Sequence, residues 1–259
     1  MTIFYRLPEW TCFIATLVFV LMSHEVGFRL GIRRKLKPGE NPETAAGTIS
    51  GIMIGMLAFM LAFTFNGASN NHDFRKDLLS DEANTIRTVY QRSMQLPDTY
   101  RTNVRNLLRE YVSLRLNMGQ RQKTNFKQTF VRMKSIQQGL WSIALELQTK
   151  EPNTPMLGLF TESLNHLFDL NADRSNAFIQ GRISLLIWIV LYLLTFITMA
   201  MVGYRIGLSG IRSTFMELTL ALSFSSVLIL IIALDRPNGM LRLNPKPLAD
   251  VLKMLNVDR

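Results

Sequence analysis

The sequence predicts an all-α membrane protein with four transmembrane helices and a helical bundle domain inserted between spans 2 and 3. Two observations predict this class. Apolar blocks lie near both ends of the 259-residue chain, and a polar block with helical periodicity lies between them. A membrane-spanning helix needs about 20 mostly apolar residues, because each residue rises about 1.5 Å across a hydrocarbon core of about 30 Å. Four segments reach this length.

The four expected spans differ in how their ends are marked. Glu25 and Arg29, one turn apart at the end of the first span, predict an interfacial ion pair. No small-residue cleavage site follows that span, so it does not resemble a signal peptide. The second is the most uniform, with no Asp, Glu, Lys or Arg between Glu43 and Asp73. The spans are expected, in order, at about Trp10–Gly27, Ala45–Ala68, Ile183–Tyr204 and Phe215–Leu234.

The spans divide the chain into four regions. Residues 1–68 hold transmembrane helices 1 and 2 with a basic connector, and residues 183–234 hold helices 3 and 4. Residues 69–182 form the extramembrane helical domain, in which apolar residues recur at helical spacing between breaks near Pro97, Gly119–Thr124 and Pro152–Pro155. Residues 235–259 form a C-terminal tail, which contains a short amphipathic segment at Leu248–Leu255 that we expect to pack on the bundle or on a neighbouring subunit.

Charge and composition exclude several classes of function. The net charge is +10, but basic residues are mixed with acids along helices and no nucleic-acid-binding module is present. The balance is typical of loops that face anionic lipid, and an anion-attracting vestibule is the alternative. We find no metal cluster, phosphate loop or catalytic constellation, so we expect no enzyme and no cofactor.

An acidic stripe marks the last helix of the central domain. Its members Glu162, His166, Asp169 and Asp173 follow the spacing i, i+4, i+7 and i+11. They could hold a cation if a neighbouring helix completed the ligand shell. A solvated face that pairs with nearby arginines is the favoured interpretation.

The positions of basic residues give an expectation for orientation. Basic residues crowd the first connector, which holds Arg29, Arg33, Arg34, Lys35 and Lys37, and the short loop between the last two spans holds Arg205 and Arg212. The positive-inside rule places both loops in the cytoplasm, which makes the central domain extracytoplasmic. This inference rests on charge density, because basic residues also flank the opposite span ends.

The second span carries the features of a pore helix. Gly47, Gly51 and Gly55 repeat every four residues, a spacing that favours close helix packing in lipid. Phe59 and Phe63 follow at the same interval and share one face. If several copies surround an axis, these rings form an apolar constriction of the kind that gates by dewetting. Ordinary packing within the four-helix membrane domain is the alternative.

Short motifs along nearly the whole chain resemble the bestrophin-like family, once catalogued as a domain of unknown function. Each is weak alone, but their order and the span layout make the set specific. The stretches are Leu61-Ala-Phe-Thr-Phe-Asn-Gly-Ala68, Arg75, Asp81-Glu-Ala-Asn84, Leu96-Pro97, Leu107-Leu-Arg-Glu-Tyr111, Trp141, Leu164-Asn165, Arg174 and Leu234-Asp-Arg-Pro-Asn-Gly239.

The resemblance implies a fold and a function. Bestrophins are pentameric anion channels whose second span lines the pore and whose extramembrane domain is cytoplasmic, against the charge-density expectation. By position, the neck residues implied here are Phe59 and Phe63, with Gly55 or Asn66 beside them. The sequence departs from bestrophins at Thr64 and Asn70-Asn71-His72, where they carry an arginine and a tryptophan-rich segment. The calcium clasp of animal bestrophins has no counterpart, so calcium gating is not implied.

The leading hypothesis is a homo-oligomeric, pentameric, anion-permeable channel of a bacterial inner membrane, with the lipid bilayer, inorganic anions and its own copies as partners. Asn66 and Asn70 would offer amide donors to the ion, and Arg75 and Lys76 would concentrate anions at the mouth. The alternative is a membrane sensor with a helical-bundle ligand-binding domain, which predicts a dimer. A scaffold like the stators of proton-driven motors is a third possibility.

Overall fold

The computed structural model describes residues 8–34, 42–119, 126–150, 154–210, 212–236 and 239–257. Within these ranges the chain is helical and contains no strand, so the all-α prediction is confirmed. Several features named above lie outside the described residues: Lys35, Lys37, Pro152, Pro237, Asn238 and most of the break at 119–124.

Eight helices follow one another in the described part of the chain. Their bounds are α1 Glu9–Arg33, α2 Pro42–Ser93, α3 Asp98–Gly119, α4 Phe126–Lys150, α5 Pro155–Gln180, α6 Leu185–Ser209, α7 Thr214–Asp235 and α8 Lys246–Val257. The chain divides into two compact units. The first, called the membrane unit, comprises Met1–His72 and Gly181–Arg242, and the second, called the bundle unit, comprises Asp73–Gln180 and Leu243–Arg259.

Four helices, α1, α2, α6 and α7, are long and apolar enough to cross a membrane. The prediction of four spans is therefore confirmed, and the protein is a membrane protein. Except at the start of α6, which begins at Leu185, each helix extends beyond the predicted apolar segment, because helical hydrogen bonding continues into the residues that follow. The largest difference is α2, which runs for 52 residues without a break. No proline interrupts it after Pro42, so nothing in its sequence ends the helix at the edge of the apolar segment.

The closest helix contact within the membrane unit joins α1 to α6. Gly27 and Gly31 of α1 face Gly203 and Gly207 of α6, so that the backbones touch. A Cβ atom on Gly27 would lie 2.7 Å from the Cα of Ala200, and one on Gly207 would lie 3.0 Å from the Cα of Gly31. Small residues four apart on both helices allow this approach, which is a common way for helices to associate in lipid. Because residue numbers rise together along the contact, the two helices are parallel.

Polar groups at the end of α7 attach to the starts of two other helices. The Asp235 carboxylate accepts a hydrogen bond of 2.9 Å from the backbone N–H of Ile183, which precedes α6. The next residue, Arg236, donates from Nη2 to the Sγ of Cys12 on α1 at 3.1 Å. The side chains of Cys12, Asp235 and Arg236 are all buried, and so is Ile183. Asp235 and Arg236 of the Leu234–Gly239 motif therefore hold the end of α7 against the starts of α1 and α6.

The bundle unit has its own apolar core. Side chains from α3, α4, α5 and the second half of α2 meet in it, and Tyr111, Phe160 and Leu140 are among the largest that are fully buried. Leu248, Val251 and Leu255 of α8 join the same core. The prediction that the amphipathic tail packs on the bundle is confirmed. Arg109 reinforces this packing by donating from Nη2 to the carbonyl oxygen of Leu255 at 2.7 Å.

Candidate pore-lining surface

The first half of α2 buries one side in the membrane unit. Leu57, Leu61 and Ala68 are buried and belong to the same core as Trp188 and Leu228. Their spacing of four and seven residues places them along one side of the helix. The opposite side is therefore left without cover from this chain.

The uncovered side is the one on which the predicted neck lies, and we call it the neck face. Phe59 and Phe63 are the most prominent members, with 69% and 65% of their surfaces exposed. All members of the neck face are exposed in the single chain, and they are Gly55, Phe59, Phe63, Asn66 and Asn70. On an ideal helix these five residues fall within an arc of about 80°. The structure thus brings five predicted site residues together on one surface.

The glycines that lead into the neck face have different surroundings. A Cβ atom on Gly47 would lie 3.2 Å from the guanidinium carbon of Arg205, so this glycine accommodates a side chain of α6. A Cβ on Gly51 or Gly55 would meet nothing within 4 Å. The close helix contact found within the chain instead uses Gly27, Gly31, Gly203 and Gly207. Packing through Gly51 remains a prediction for contacts between copies.

The residues predicted for the pore mouth do not share one environment. Arg75 is 8% exposed and therefore buried within the chain, whereas Lys76 is exposed. Helical spacing places Arg75 about 160° around α2 from Phe59. Asp73 and Asp77, which were not among the predicted mouth residues, are also exposed. The burial of Arg75 follows from its place on the covered side of α2, and its role at the pore mouth stays a prediction.

The neck face has a simple chemical character. Two exposed aromatic rings are followed, one to two turns later, by exposed amides at Asn66 and Asn70. A lone helix side cannot enclose a path for ions, so any such role requires further copies of the chain around it. In a lipid bilayer the side-chain amides of Asn66 and Asn70 would also need polar partners, since leaving a polar group without a hydrogen bond in hydrocarbon costs roughly several kcal/mol.

A comparison with known proteins establishes the family. The Bestrophin-like domain matches residues 14–248, which is most of the chain. The chain belongs to this Bestrophin-like family. No curated protein sequence matches it significantly.

Solved structures agree with this Bestrophin-like assignment at the level of the fold. A crystal structure of a mutant bacterial Bestrophin homologue from Klebsiella pneumoniae aligns with a TM-score of 0.67 and 12% identity, covering 94% of this chain and 97% of that one. A further crystal structure of the Klebsiella pneumoniae homologue aligns with a TM-score of 0.65 and 14% identity, covering 93% and 96%. At this identity the likeness concerns the fold, and the resemblance first noted in the sequence is confirmed.

Motif residues of this Bestrophin-like chain also meet at a buried ionic cluster in the bundle unit, which sequence reasoning did not identify. The Glu82 carboxylate is buried between two arginines. Arg115 binds both of its oxygens, with Nε–Oε1 and Nη2–Oε2 distances of 2.8 and 2.6 Å. Arg174 donates to Oε1 at 3.1 Å, and the Tyr111 hydroxyl donates to the same oxygen at 2.7 Å. Glu82, Tyr111 and Arg174 stand in three of the motifs that carried the resemblance.

The Glu82 cluster has a structural consequence that its charges explain. A buried carboxylate is stable only with several strong donors, and here three side chains from α3 and α5 supply them. Burial, and after it the charge of Glu82, raises the pKa of Tyr111 well above its usual value. The tyrosine therefore remains a neutral donor, and the cluster ties α2, α3 and α5 together.

The acidic stripe on α5 faces solvent, which is the interpretation that the sequence favoured. Glu162, His166, Asp169 and Asp173 are all exposed. Glu162 pairs with Arg92 at 3.4 Å. Within the described ranges, no group of three or more His, Cys, Asp or Glu side chains is arranged to hold a metal ion.

Proposed function

We propose that the chain assembles as a homo-pentameric ion channel in which the neck faces of five α2 helices surround the conduction path. The observation that carries this proposal is the exposure of Phe59 and Phe63 on the side of α2 turned away from the core of its own chain. Membership of the Bestrophin-like family supports it. The corresponding location is the inner membrane of a bacterium.

The chemistry of the neck face suits a narrow, water-poor constriction. Rings of phenylalanine at positions 59 and 63 would form two apolar layers one helical turn apart, about 6 Å along the axis. An apolar constriction opposes ions because they must shed water there, and it can close by dewetting without a moving lid. Gly55, which has no side chain, would widen the path immediately before the rings.

Anion permeation is our first assignment for the conducted ion. The amide groups of Asn66 and Asn70 follow the rings and can donate hydrogen bonds to a partly dehydrated anion. Lys76, exposed further along α2, would raise the local anion concentration. A specific observation favours a second candidate, a cation channel: Asp73 and Asp77 are exposed on α2, whereas Arg75 is buried.

The test of conduction is ion flux through purified protein in liposomes. Replacing a neck ring by alanine removes apolar surface from the constriction, so Phe59→Ala and Phe63→Ala should each raise flux by about tenfold, equivalent to about 1.4 kcal/mol of barrier. Phe65→Ala is the matched control, because Phe65 lies on the same helix about 120° from Phe59. It should leave flux close to that of the wild-type protein.

The outcomes separate the possibilities. Absence of flux from an assembled oligomer, with wild-type and both neck variants, would remove the channel proposal. Reversal potentials measured under a salt gradient distinguish anion from cation permeation by their sign. Native mass spectrometry gives the number of copies, and a dimer would favour the sensor alternative over the channel.

A further inference from the structure

Charged groups from α1, from α7 and from the residues just before α7 meet at the turn of α1 that contains His24. The side chain is 5% exposed and lies one turn before Phe28. Arg212, just before α7, reaches Glu25 of α1 through an Nη2–Oε2 contact of 3.1 Å and Glu217 of α7 through an Nε–Oε1 contact of 3.4 Å. Its guanidinium also lies 5.0 Å from the centre of the Phe28 ring. One cation therefore joins α7 to the turn of α1 that contains the buried His24.

The two acids of this group are held unequally. Glu25 has a second partner, since the Nε of Arg29 donates to its Oε1 at 2.7 Å. Glu217 is more deeply buried, at 8% exposure, yet its contacts with Arg212 are 3.4 and 3.5 Å. Charge-assisted hydrogen bonds are ordinarily about 2.7–2.9 Å long. Glu217 consequently has capacity for a closer cationic partner.

His24 and Glu217 each carry a buried polar atom that is not engaged in a hydrogen bond. These atoms are Nε2 of His24 and Oε1 of Glu217, whose contact with Arg212 is an ion pair without hydrogen-bond geometry. Burial of the ring opposes a charge on His24, and the charged groups that act on it are Glu217, Glu25 and Arg212. Helix α6 packs closely against the backbone of this turn, because a Cβ on Gly203 would lie 2.9 Å from the carbonyl carbon of His24. The surroundings thus offer a proton on His24 two carboxylates and one opposing guanidinium.

We infer that His24 and Glu217 form a buried protonation site, at which the imidazolium replaces Arg212 as the partner of Glu217 when the pH falls. The proton comes from water, so the site gains one positive charge. Before protonation, the two acids balance Arg29 and Arg212. Afterwards the set carries one positive charge, and Arg212, which is half-exposed, can remain with Glu25 and turn toward water. The contact between α1 and α7 is then a buried imidazolium–carboxylate pair, so packing in the membrane unit responds to pH.

The first experiment measures the protonation of His24 directly. The chain has three histidines, so carbon-13 labelling of histidine gives three imidazole signals in lipid nanodiscs, and His24→Gln assigns the signal of interest. The signal of His24 should titrate between pH 5 and 8, the range in which imidazole ordinarily changes charge. Removing the negative neighbour with Glu217→Gln should lower the midpoint by about one pH unit, a tenfold loss of proton affinity. Arg212→Gln should raise it by a similar amount.

The second experiment measures the effect on packing. The thermal midpoint of the wild-type protein should change between pH 5 and 8 by more than that of His24→Gln. His166→Gln is the control, because His166 is an exposed histidine of α5, and it should retain the wild-type pH dependence. A His24 signal that does not titrate in this range would overturn the inference, as would shifts of equal sign in Glu217→Gln and Arg212→Gln. Neither readout requires ion conduction, so the inference stands or falls separately from the proposed function.

Discussion

The Gly27→Ala substitution tests the contact between α1 and α6, on which the packing of the membrane unit depends. The new methyl carbon would lie 2.7 Å from the Cα of Ala200 and closer still to its carbonyl oxygen, whereas ordinary contact begins at 3.4 Å. The obstacle is backbone, which cannot rotate away as a side chain can. The helices would therefore have to separate by at least about 0.7 Å, in an interior that is otherwise close-packed.

The expected cost follows from this geometry. Overpacking by one methyl group typically costs about 1–3 kcal/mol, and an obstacle made of backbone places Gly27→Ala near the upper end, at about 3 kcal/mol. Thermal denaturation of the purified protein in detergent, followed by tryptophan fluorescence, should show a clear fall in the midpoint. Alanine favours helix over glycine by about 1 kcal/mol, so the measured loss already includes this opposing gain.

Gly158→Ala provides the control for that experiment. Gly158 lies within α5, where a Cβ would meet nothing within 4 Å, so alanine should leave stability unchanged or raise it by up to about 1 kcal/mol. The same control separates helix propensity from steric conflict. If Gly27→Ala proved as stable as Gly158→Ala, the backbone contact between α1 and α6 would have to be abandoned.

Three further substitutions test other parts of the molecule. Glu82→Gln leaves two arginines facing a neutral amide in a buried site, and thermal denaturation should show a loss of about 3–5 kcal/mol. Asp235→Ala removes the acceptor of the Ile183 N–H and should cost about 1–3 kcal/mol in the same assay. The third concerns pH: hydrogen bonds from Arg132 lower the pKa of Glu110, so this pair stabilises the fold above the carboxyl's ordinary pKa and loses that effect as pH falls through the lowered value. The advantage of the wild-type protein over Glu110→Gln should therefore shrink between pH 6 and pH 3, and an unchanged difference in thermal midpoint would contradict the linkage.

Span number and helical class could be predicted because both depend on local sequence. Each span contains about 20 apolar residues, and this length is set by the thickness of the bilayer. The 52-residue continuity of α2 was harder to foresee, since the change from apolar to polar residues after Ala68 resembles an element boundary. The backbone needs only compatible residues to continue, and no proline or helix-ending glycine interrupts that stretch.

Contacts between distant segments were the part that sequence reasoning missed. The spacing of Gly27 and Gly31, and of Gly203 and Gly207, was visible in the sequence, but only the fold reveals that these pairs face each other. The row at Gly47, Gly51 and Gly55 has the same spacing, and its last two members face away from their own chain. Periodicity identifies the side of a helix that is small or apolar, and the neighbouring helix is decided by topology.

The candidate site residues show the same contrast between what helical spacing determines and what only the fold determines. Phe59, Phe63, Asn66 and Asn70 share a face because helical spacing requires it, and their exposure adds the information that their own chain does not cover them. Arg75 was grouped with Lys76 by proximity in sequence, yet neighbours on a helix point about 100° apart, and Arg75 is buried. The Glu82 cluster joins residues from α2, α3 and α5, so no local pattern could have revealed it.

Electron cryo-microscopy of the purified particle in lipid nanodiscs tests the role of α2 most directly. The expected image is five copies around one axis, with the phenylalanine rings at positions 59 and 63 pointing toward that axis. Rings that instead point into lipid, or that are enclosed between helices of one protomer, would contradict the proposed conduction path.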